Sequence, residues 1–289
     1  MPLISIVIPT FNRAQALQAC LESLYALDAV PGGFEIIVVD DGSQDTTRQV
    51  CQAWPQIRYE WQANQGVARA RNRGVELAQG EWIAFIDDDC QARQGWLTAL
   101  WKACGGDESV MAASPLINAL KQNPFAEASQ SLLDYVYSCY NTEAESAHFV
   151  AGANFMVSKK RFLTLGGSDG RYAGAGAEDR DFCARWLEAN GRIVCLAEAK
   201  VEHSHHMGLR EFCRQHYSYG LGAWRFHQQA PVGKGGRGMR TPGYYWNMLT
   251  HPMQKPGGWE RLRLTGLIVL SQVMSTLGYA RATLQTPRS

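Results

Sequence analysis

Five short runs rich in β-branched and aromatic residues, at 3–8, 35–39, 57–61, 82–86 and 109–113, alternate with helical patterns near 14–27, 44–54, 66–79 and 94–104. That alternation leaves the chain few options. Each run reads as a strand and each helical stretch as the crossover to the next strand of a mainly parallel α/β sheet. Ser43 and Asn64 stand ahead of two of the helical stretches and read as their caps.

Open sheets of this kind collect ligands beyond the carboxyl ends of their strands. Three strand ends run into polar residues: Pro9-Thr10-Phe11-Asn12-Arg13, Asp40-Asp41-Gly42-Ser43 and Asp87-Asp88-Asp89. The last is the strongest local feature, because Trp82-Ile83-Ala84-Phe85-Ile86 delivers three carboxylates at its tip. Strand alternation sets Asp87 and Asp89 on one side and Asp88 on the other, unless the chain bends there. Hard oxygen ligands suit Mg²⁺ or Mn²⁺. An ion held by them can bridge a diphosphate and neutralise the charge that grows as it leaves. Turn or cap chemistry is the competing account, since Asp is common in both. Three like charges repel, however, and a cation is the simplest remedy. Asp40 is placed to accept hydrogen bonds from a base or ribose, while Asp41 and Ser43 serve equally well as turn and cap.

Charge balance narrows the partners. The 28 basic and 27 acidic side chains nearly cancel, which excludes a general pull toward nucleic acid. The 46% hydrophobic content supports a folded globule. Eight cysteines form no C-x-x-C pair and read as reduced core thiols of a cytosolic protein. Met1 leads directly into an apolar strand without a leader-like stretch, so a cytoplasmic protein is expected.

Past residue 120 the pattern loosens into a helix at 125–139, an apolar segment at 149–157 and a glycine-rich stretch, Gly166 to Gly176, running into a helix near Glu178. Segments 192–196 and 200–203 look like two closing strands, the second ending at His203. Glu178, Asp179 and Asp181 either supply a base or simply occupy a helix N-terminus, where negative charge gains about 0.3–1 kcal/mol. His203, His205 and His206 lack a cysteine at finger-like spacing, which argues against structural zinc. Gly233 to Gly238 formally matches G-x-G-x-x-G but follows Ala230-Pro231 instead of a strand, and reads as a mobile loop.

Taken together, four motifs carry a resemblance. Val7 to Arg13, Val38 to Ser43, Asn64-Gln65-Gly66 with Ala70 to Gly74, and Phe85 to Asp89 resemble family 2 glycosyltransferases in order and spacing. Val150 to Val157 and Tyr172 to Phe182 extend the likeness over about residues 3–205. The resemblance implies a GT-A nucleotide-diphospho-sugar transferase fold, an inverting mechanism, a nucleotide-sugar donor with UDP favoured, and Mn²⁺ or Mg²⁺ as cofactor. It implies roles as well. Pro9, Thr10 and Asn12 would line the nucleotide pocket, Asp40 would hold uracil or ribose, and Arg71 would approach the base or phosphates. Asp87 would lie near the ribose and sugar, with Asp88 beside it and Asp89 as the direct metal ligand. Gly152 and Ala153 would let the backbone approach the donor sugar, and His203, chosen over His205, would reach the metal or diphosphate. Asp179 would be the general base, with Glu178 in reserve. The acceptor would be a glycan, glycolipid or other hydroxyl compound of polysaccharide or glycolipid synthesis.

The expected organisation is a catalytic domain over 1–205, with its nucleotide half at 1–113 and acceptor half at 114–205, followed by a helical extension at 206–289. Aromatic residues at 209–229, including Phe212, Tyr219 and Phe226, read as core or as sugar-stacking faces, with Gly220 and Gly222 as a flexible pair. Leu264 to Ala280 is uncharged but too short and polar for a span. Packing on the catalytic domain or a partner, or resting on the inner membrane face, are the readings left open for it. Two rival functions remain. A nucleotidyltransferase would need a glycine-rich phosphate loop where Ile8-Pro9-Thr10-Phe11-Asn12 stands, and a non-catalytic nucleotide-sugar binder or scaffold would not need Asp179.

Overall fold

The computed structural model describes residues 3–143, 146–172, 174, 176–229, 241–254 and 258–285. The glycine-rich motif Gly233 to Gly238 lies outside them.

Strand β1 (Ile4–Thr10) is buried along its whole length, as expected of a parallel strand covered on both faces. It pairs in parallel with β2 (Phe34–Asp40) on one side and β4 (Trp82–Ile86) on the other, while β3 (Arg58–Trp61) extends the edge beyond β2. The crossovers are α1 (Ala14–Tyr25), the short α2 (Thr47–Gln52) and α3 (Val67–Leu77). Because β2 and β4 lie on opposite sides of β1, the order reverses there and opens a crevice at the carboxyl ends. Side chains alternate across β1. Ile4, Ile6 and Ile8 join a core cluster with α1 and with α4 (Trp96–Cys104), whereas Val7 joins a second cluster with Phe85 and Phe155.

The full sheet has seven strands in the order β3-β2-β1-β4-β8-β6-β9. Here β6 is Val110–Ala113, β8 is Asn154–Ser158 and β9 is Arg192–Cys195. β8 runs antiparallel to both β4 and β6. Its first residue, Asn154, pairs with Ile86 and so brings Gly152 and Ala153 up beside the acidic turn. A second sheet of three short strands, β5 (Cys90–Ala92), β10 (Val201–His203) and β7 (Leu116–Asn118), sets His203 opposite Cys90. The two closing strands expected at 192–196 and 200–203 thus separate, β9 to the large sheet and β10 to the small one.

Helices α5 (Pro124–Tyr140), α6 (Lys159–Thr164) and α7 (Glu178–Glu188) complete the half after residue 114, and α8 (Leu209–Gln229), α9 (Pro242–Thr250) and α10 (Trp259–Gln285) follow. Asn123 caps α5, its side chain accepting from the amides of Phe125 and Ala126. The expected caps are not used. Thr46 and Gly66 precede α2 and α3 instead, because the Ser43 hydroxyl is taken by the Asn12 amide and Asp41 turns the chain tightly into Gly66.

Gly220 and Gly222 do not form a flexible pair. Both are buried inside α8, where a Cβ on Gly220 would lie 1.9 Å from the Ser275 carbonyl of α10 and one on Gly222 would lie 2.1 Å from the Gly176 carbonyl. On α10, a Cβ on Gly278 would likewise meet the Tyr217 carbonyl at 2.1 Å, so small residues let the two helices touch through their backbones. Leu264, Ile268, Ser271, Gly278 and Ala282 form the buried stripe of α10, at helical spacing. Among the described residues no helix is long and apolar enough to cross a membrane. All eight cysteines are free thiols and five are buried; Cys139 departs from the expected core placement and is exposed on α5.

Candidate active site

The chain leaves β4 at Ile86 and turns at once, the Cys90 amide bonding back to the Asp87 carbonyl. This turn replaces the strand alternation expected for the triplet. Asp87 is drawn to Arg71, whose Nη2 lies 2.8 Å from its Oδ1, whereas Asp88 and Asp89 share one guanidinium. Nη1 of Arg13 sits 3.1 Å from Asp88 Oδ1 and 2.8 Å from Asp89 Oδ2. Thr10, at the end of β1, donates its hydroxyl to Asp88 Oδ2 at 2.8 Å.

The electrostatics follow from burial. Desolvation, opposed by Arg13 and helped by the Asp89 charge, pushes Asp88 up to about 7. Burial also disfavours charge on Asp89, but His203 and Arg13 outweigh it and hold that carboxyl well below the ordinary range. For His203 burial is again outweighed, by Asp89, and its pKa rises. Desolvation prevails at His205 and lowers it to about 4, leaving a neutral ring at pH 7.

Could these residues hold a divalent cation? Asp89 Oδ1 lies 3.2 Å from His203 Nε2, and Asp89 Oδ2 lies 3.5 Å from His205 Nδ1. One ligand atom each from Asp89, Cys90 and His203 falls within 4.8 Å of the others. Burial and the nearby carboxylates push the Cys90 thiol far up, so without a bound cation it stays protonated. Asp89 supplies a hard oxygen donor of the kind that suits Mn²⁺ or Mg²⁺, with the His203 imidazole beside it.

A second group of carboxylates stands on the first turn of α7. Glu178 Oε1 accepts from Arg71 Nη1 at 3.3 Å, so this buried arginine ties Asp87 to Glu178. Its Nε atom has no hydrogen-bond partner. Asp179 Oδ2 accepts the Gly152 amide at 3.3 Å and Oδ1 accepts the Arg180 amide at 2.7 Å. Desolvation and then the Glu178 charge raise Asp179 to about 7, against opposing hydrogen bonds. Gly152 is required here, because a Cβ would come within 2.9 Å of the Arg71 guanidinium. Asp181 has a structural role, pairing with Arg185 one turn on.

One cavity of about 700 Å³ unites these parts. Pro9, Thr10, Arg71, Asp87, Asp88, Asp89, Gly152, Ala153, Glu178, Asp179 and His203 all line it. Two expected nucleotide residues do not. Asp40 is buried with its oxygens engaged by the Tyr59 hydroxyl and the Ser43 amide, and its neighbour Asp41 faces the cavity instead. Asn12 is turned outward with φ of 53°, and its side chain accepts the Gln44 amide. Arg13 and His205, neither chosen from the sequence, join the cluster. Arg13 could have been found as a cation at a strand end facing an acidic run; His205 was the alternative to His203, and the structure brings both beside Asp89. Of the aromatic residues in α8, Phe212 and Phe226 are core, and Tyr219 lines the cavity.

Comparisons with known proteins agree with this architecture. The profile described as glycosyl transferase family 2 matches residues 5–166, and a second, described as the N-terminal domain of galactosyltransferase, matches 135–208. Glycosyltransferase AglE of Haloferax volcanii is 35% identical over 103 residues, 34% of this chain and 34% of its own length. The pre-mycofactocin glycosyltransferase of Mycobacterium tuberculosis is 30% identical over 229 residues, 75% of this chain and 46% of its own. The chain thus spans less than half the length of these curated relatives. Among solved structures, the mannosyltransferase PcManGT of Pyrobaculum calidifontis, in complex with GDP-Man and Mn²⁺, superposes with a TM-score of 0.60 at 17% identity, over 98% of this chain and 80% of that one. This likeness establishes the expected GT-A fold.

Proposed function

The chain belongs to glycosyl transferase family 2, and we propose that it is an inverting, metal-dependent glycosyltransferase acting from a nucleoside-diphosphate sugar onto an acceptor hydroxyl. One observation carries this reading: Asp179 and the Asp87-Asp88-Asp89 turn face a single cavity, joined through Gly152 and Arg71. Residues 1–205 would supply the catalytic parts, and helices α8, α9 and α10 would shape the acceptor end.

In the proposed reaction Asp179 takes the proton of the acceptor hydroxyl as its oxygen attacks the anomeric carbon. The bond from that carbon to the diphosphate oxygen breaks, its electron pair leaves with the nucleoside diphosphate, and a single in-line displacement inverts the centre. Mn²⁺ or Mg²⁺, held by Asp89 and His203, would offset charge on the departing diphosphate. Arg71 holds Asp87 and Glu178 in place, which leaves Asp179 as the carboxylate at this turn without a side-chain cation partner. A pKa near 7 suits it to accept a proton at neutral pH.

UDP is the first nucleotide to test. GDP is the second, because the GT-A neighbour carries GDP-Man. Calorimetric titration of UDP, GDP and dTDP, with Mn²⁺ and with EDTA, decides the matter. Metal-dependent binding of one nucleotide, abolished in Asp89→Ala and kept in Asp179→Asn, is the expected result. Binding of none of them favours a scaffold, and equal binding in EDTA removes the metal assignment.

A further inference from the structure

The cavity continues well past Asp179. Beyond that carboxylate it runs between α5, α8, α9 and α10, lined by Leu132, Leu133 and Val136 of α5 and Met248 of α9, with Met207 just ahead of α8. Among the described residues, none of the cavity-lining side chains from these four helices is Lys, Arg, Asp or Glu. His216 adds no charge, since burial lowers its pKa to about 4. The charged lining comes from the strand tips, α3 and α7, from Arg13 and Asp41 to Arg180, whose guanidinium reaches the Tyr140 hydroxyl at the end of α5.

This division constrains the acceptor. A phosphate or carboxylate in the far lobe would find no counter-charge, and a bare glycan would lose hydrogen bonds to water against leucine, valine and methionine. Several polar groups in the lobe are engaged by the protein: Gln130 donates to the Leu116 carbonyl and to Asp134, Gln272 donates to the Ser271 hydroxyl, and Ser129 lies 3.4 Å from His216. An exception stands close to the lobe entrance, where Gln215 Oε1 is buried without a partner. At about 700 Å³ the whole cavity lies within the range of small-molecule pockets, about 300–1,000 Å³.

A second observation lies outside the lobe. α10 turns Gln272 and Ser275 to the cavity and Leu262, Val269, Val273 and Leu277 to the exterior, where each is at least 45% exposed. Nearby, α9 turns Tyr244 and Met248 inward and Trp246 outward, and Trp259 at the start of α10 is 79% exposed. The helices that wall the lobe thus also carry an outer face of exposed apolar and aromatic residues, the composition that rests at a lipid interface.

We propose that the acceptor is lipid-linked, its hydroxyl-bearing head at Asp179 and its uncharged chain in the lobe between α5, α8, α9 and α10. This rests on the transferase reading for the identity of the head-group site, but the lobe is testable without a donor. The probe is dodecyl maltoside below its micelle concentration, titrated calorimetrically against wild type, Val136→Asn in the lobe and Val273→Gln on the outer stripe. Maltose and p-nitrophenyl glucoside serve as chain-free and short aromatic controls, and binding of nucleotide with Mn²⁺ is measured separately.

The expected result is binding of dodecyl maltoside but not maltose, weakened at least roughly tenfold in Val136→Asn, since each buried methylene contributes about fourfold, and unchanged in Val273→Gln. Decyl and octyl maltosides should bind progressively more weakly. Leu132→Asn serves as a second lobe variant, and unchanged thermal unfolding of at least one variant separates loss of the chain site from misfolding. Equal binding of maltose, equal binding of p-nitrophenyl glucoside, or loss in Val273→Gln alone would each overturn the proposal. Failure of nucleotide binding with chain binding intact would instead remove the donor reading and leave the chain site standing.

Discussion

Arg13 Nη1 lies 2.8 Å from Asp89 Oδ2, so the carboxylate best placed to ligate a cation already holds an organic one. The arginine is partly exposed and reaches in from the loop after β1, whereas Asp89 is buried. Burial works against charge on Arg13, but Asp88 and Asp89 raise its pKa further. It therefore competes for the position at every accessible pH.

Removing that competition has a measurable consequence. Arg13→Gln should bind Mn²⁺ more tightly in the absence of nucleotide, on the order of tenfold, the factor given by about 1.4 kcal/mol. Titration followed by the electron paramagnetic resonance of free Mn²⁺ reads this directly. Unchanged affinity would mean that Arg13 and the cation occupy different positions.

Asp179→Asn should lower transfer by about 10²–10⁴-fold, the usual contribution of a positioned base, with little change in donor binding. In the wild type, activity should rise as pH passes through about 7 and Asp179 loses its proton. A rate profile that stays flat between pH 5.5 and 8.5 would assign the base elsewhere.

The same residue affects stability with a definite sign. Its folded pKa of about 7 lies above the ordinary 3.8, so folding favours the protonated form. Its contribution to stability falls as pH rises from about 4 to 7 and levels off above. Asp179→Asn should therefore gain in unfolding temperature relative to wild type at pH 8 and show no gain at pH 4. A gain of equal size at both would point to a cause other than ionisation.

Arg71 is buried between Asp87 and Glu178. Arg71→Ala leaves two carboxylates without their cation and should cost about 3–5 kcal/mol in denaturant unfolding, as when one partner of a buried pair is removed. The double variant Arg71→Met with Glu178→Gln should recover part of that loss. A single variant as stable as the wild type would show that water already compensates these charges.

Gly220→Val should destabilise through the α8–α10 crossing, where the first added atom meets the Ser275 carbonyl at 1.9 Å. Overpacking of this kind costs about 1–3 kcal/mol or more. Since Gln215 and Tyr219 of the same helix line the cavity, binding of a chain-bearing probe should weaken along with stability. Thermal unfolding and the dodecyl maltoside titration together test this.

Much of the site was legible along the chain because strand tips in a parallel sheet are local features. Hydrophobic period placed β1, β2, β3, β4 and β6 within two residues of where they stand, and each of those tips that carries carboxylates was visible as such. The acidic entry to α7 was legible for the same reason. What failed were choices between neighbours. Asp40 and Asp41 have the same side chain, and only the packing of Tyr59 against one and the opening of the cavity beside the other separates them. The caps failed likewise, because Ser43 was drawn to a partner 31 residues away.

The order and spacing of the motifs by themselves carried the resemblance to family 2, and hydrophobic periodicity the mainly parallel sheet with carboxylates at its strand tips, since both are written in consecutive residues. Tertiary structure decided the rest. Antiparallel pairing of β10 with β5 set His203 beside Asp89, and Arg13 closed on the same carboxylate. The uncharged lobe exists because helices from residues 124–140 and 209–285 meet around it. A cavity is a property of what surrounds it, and its walls here come from segments too far apart in sequence for any local pattern to encode.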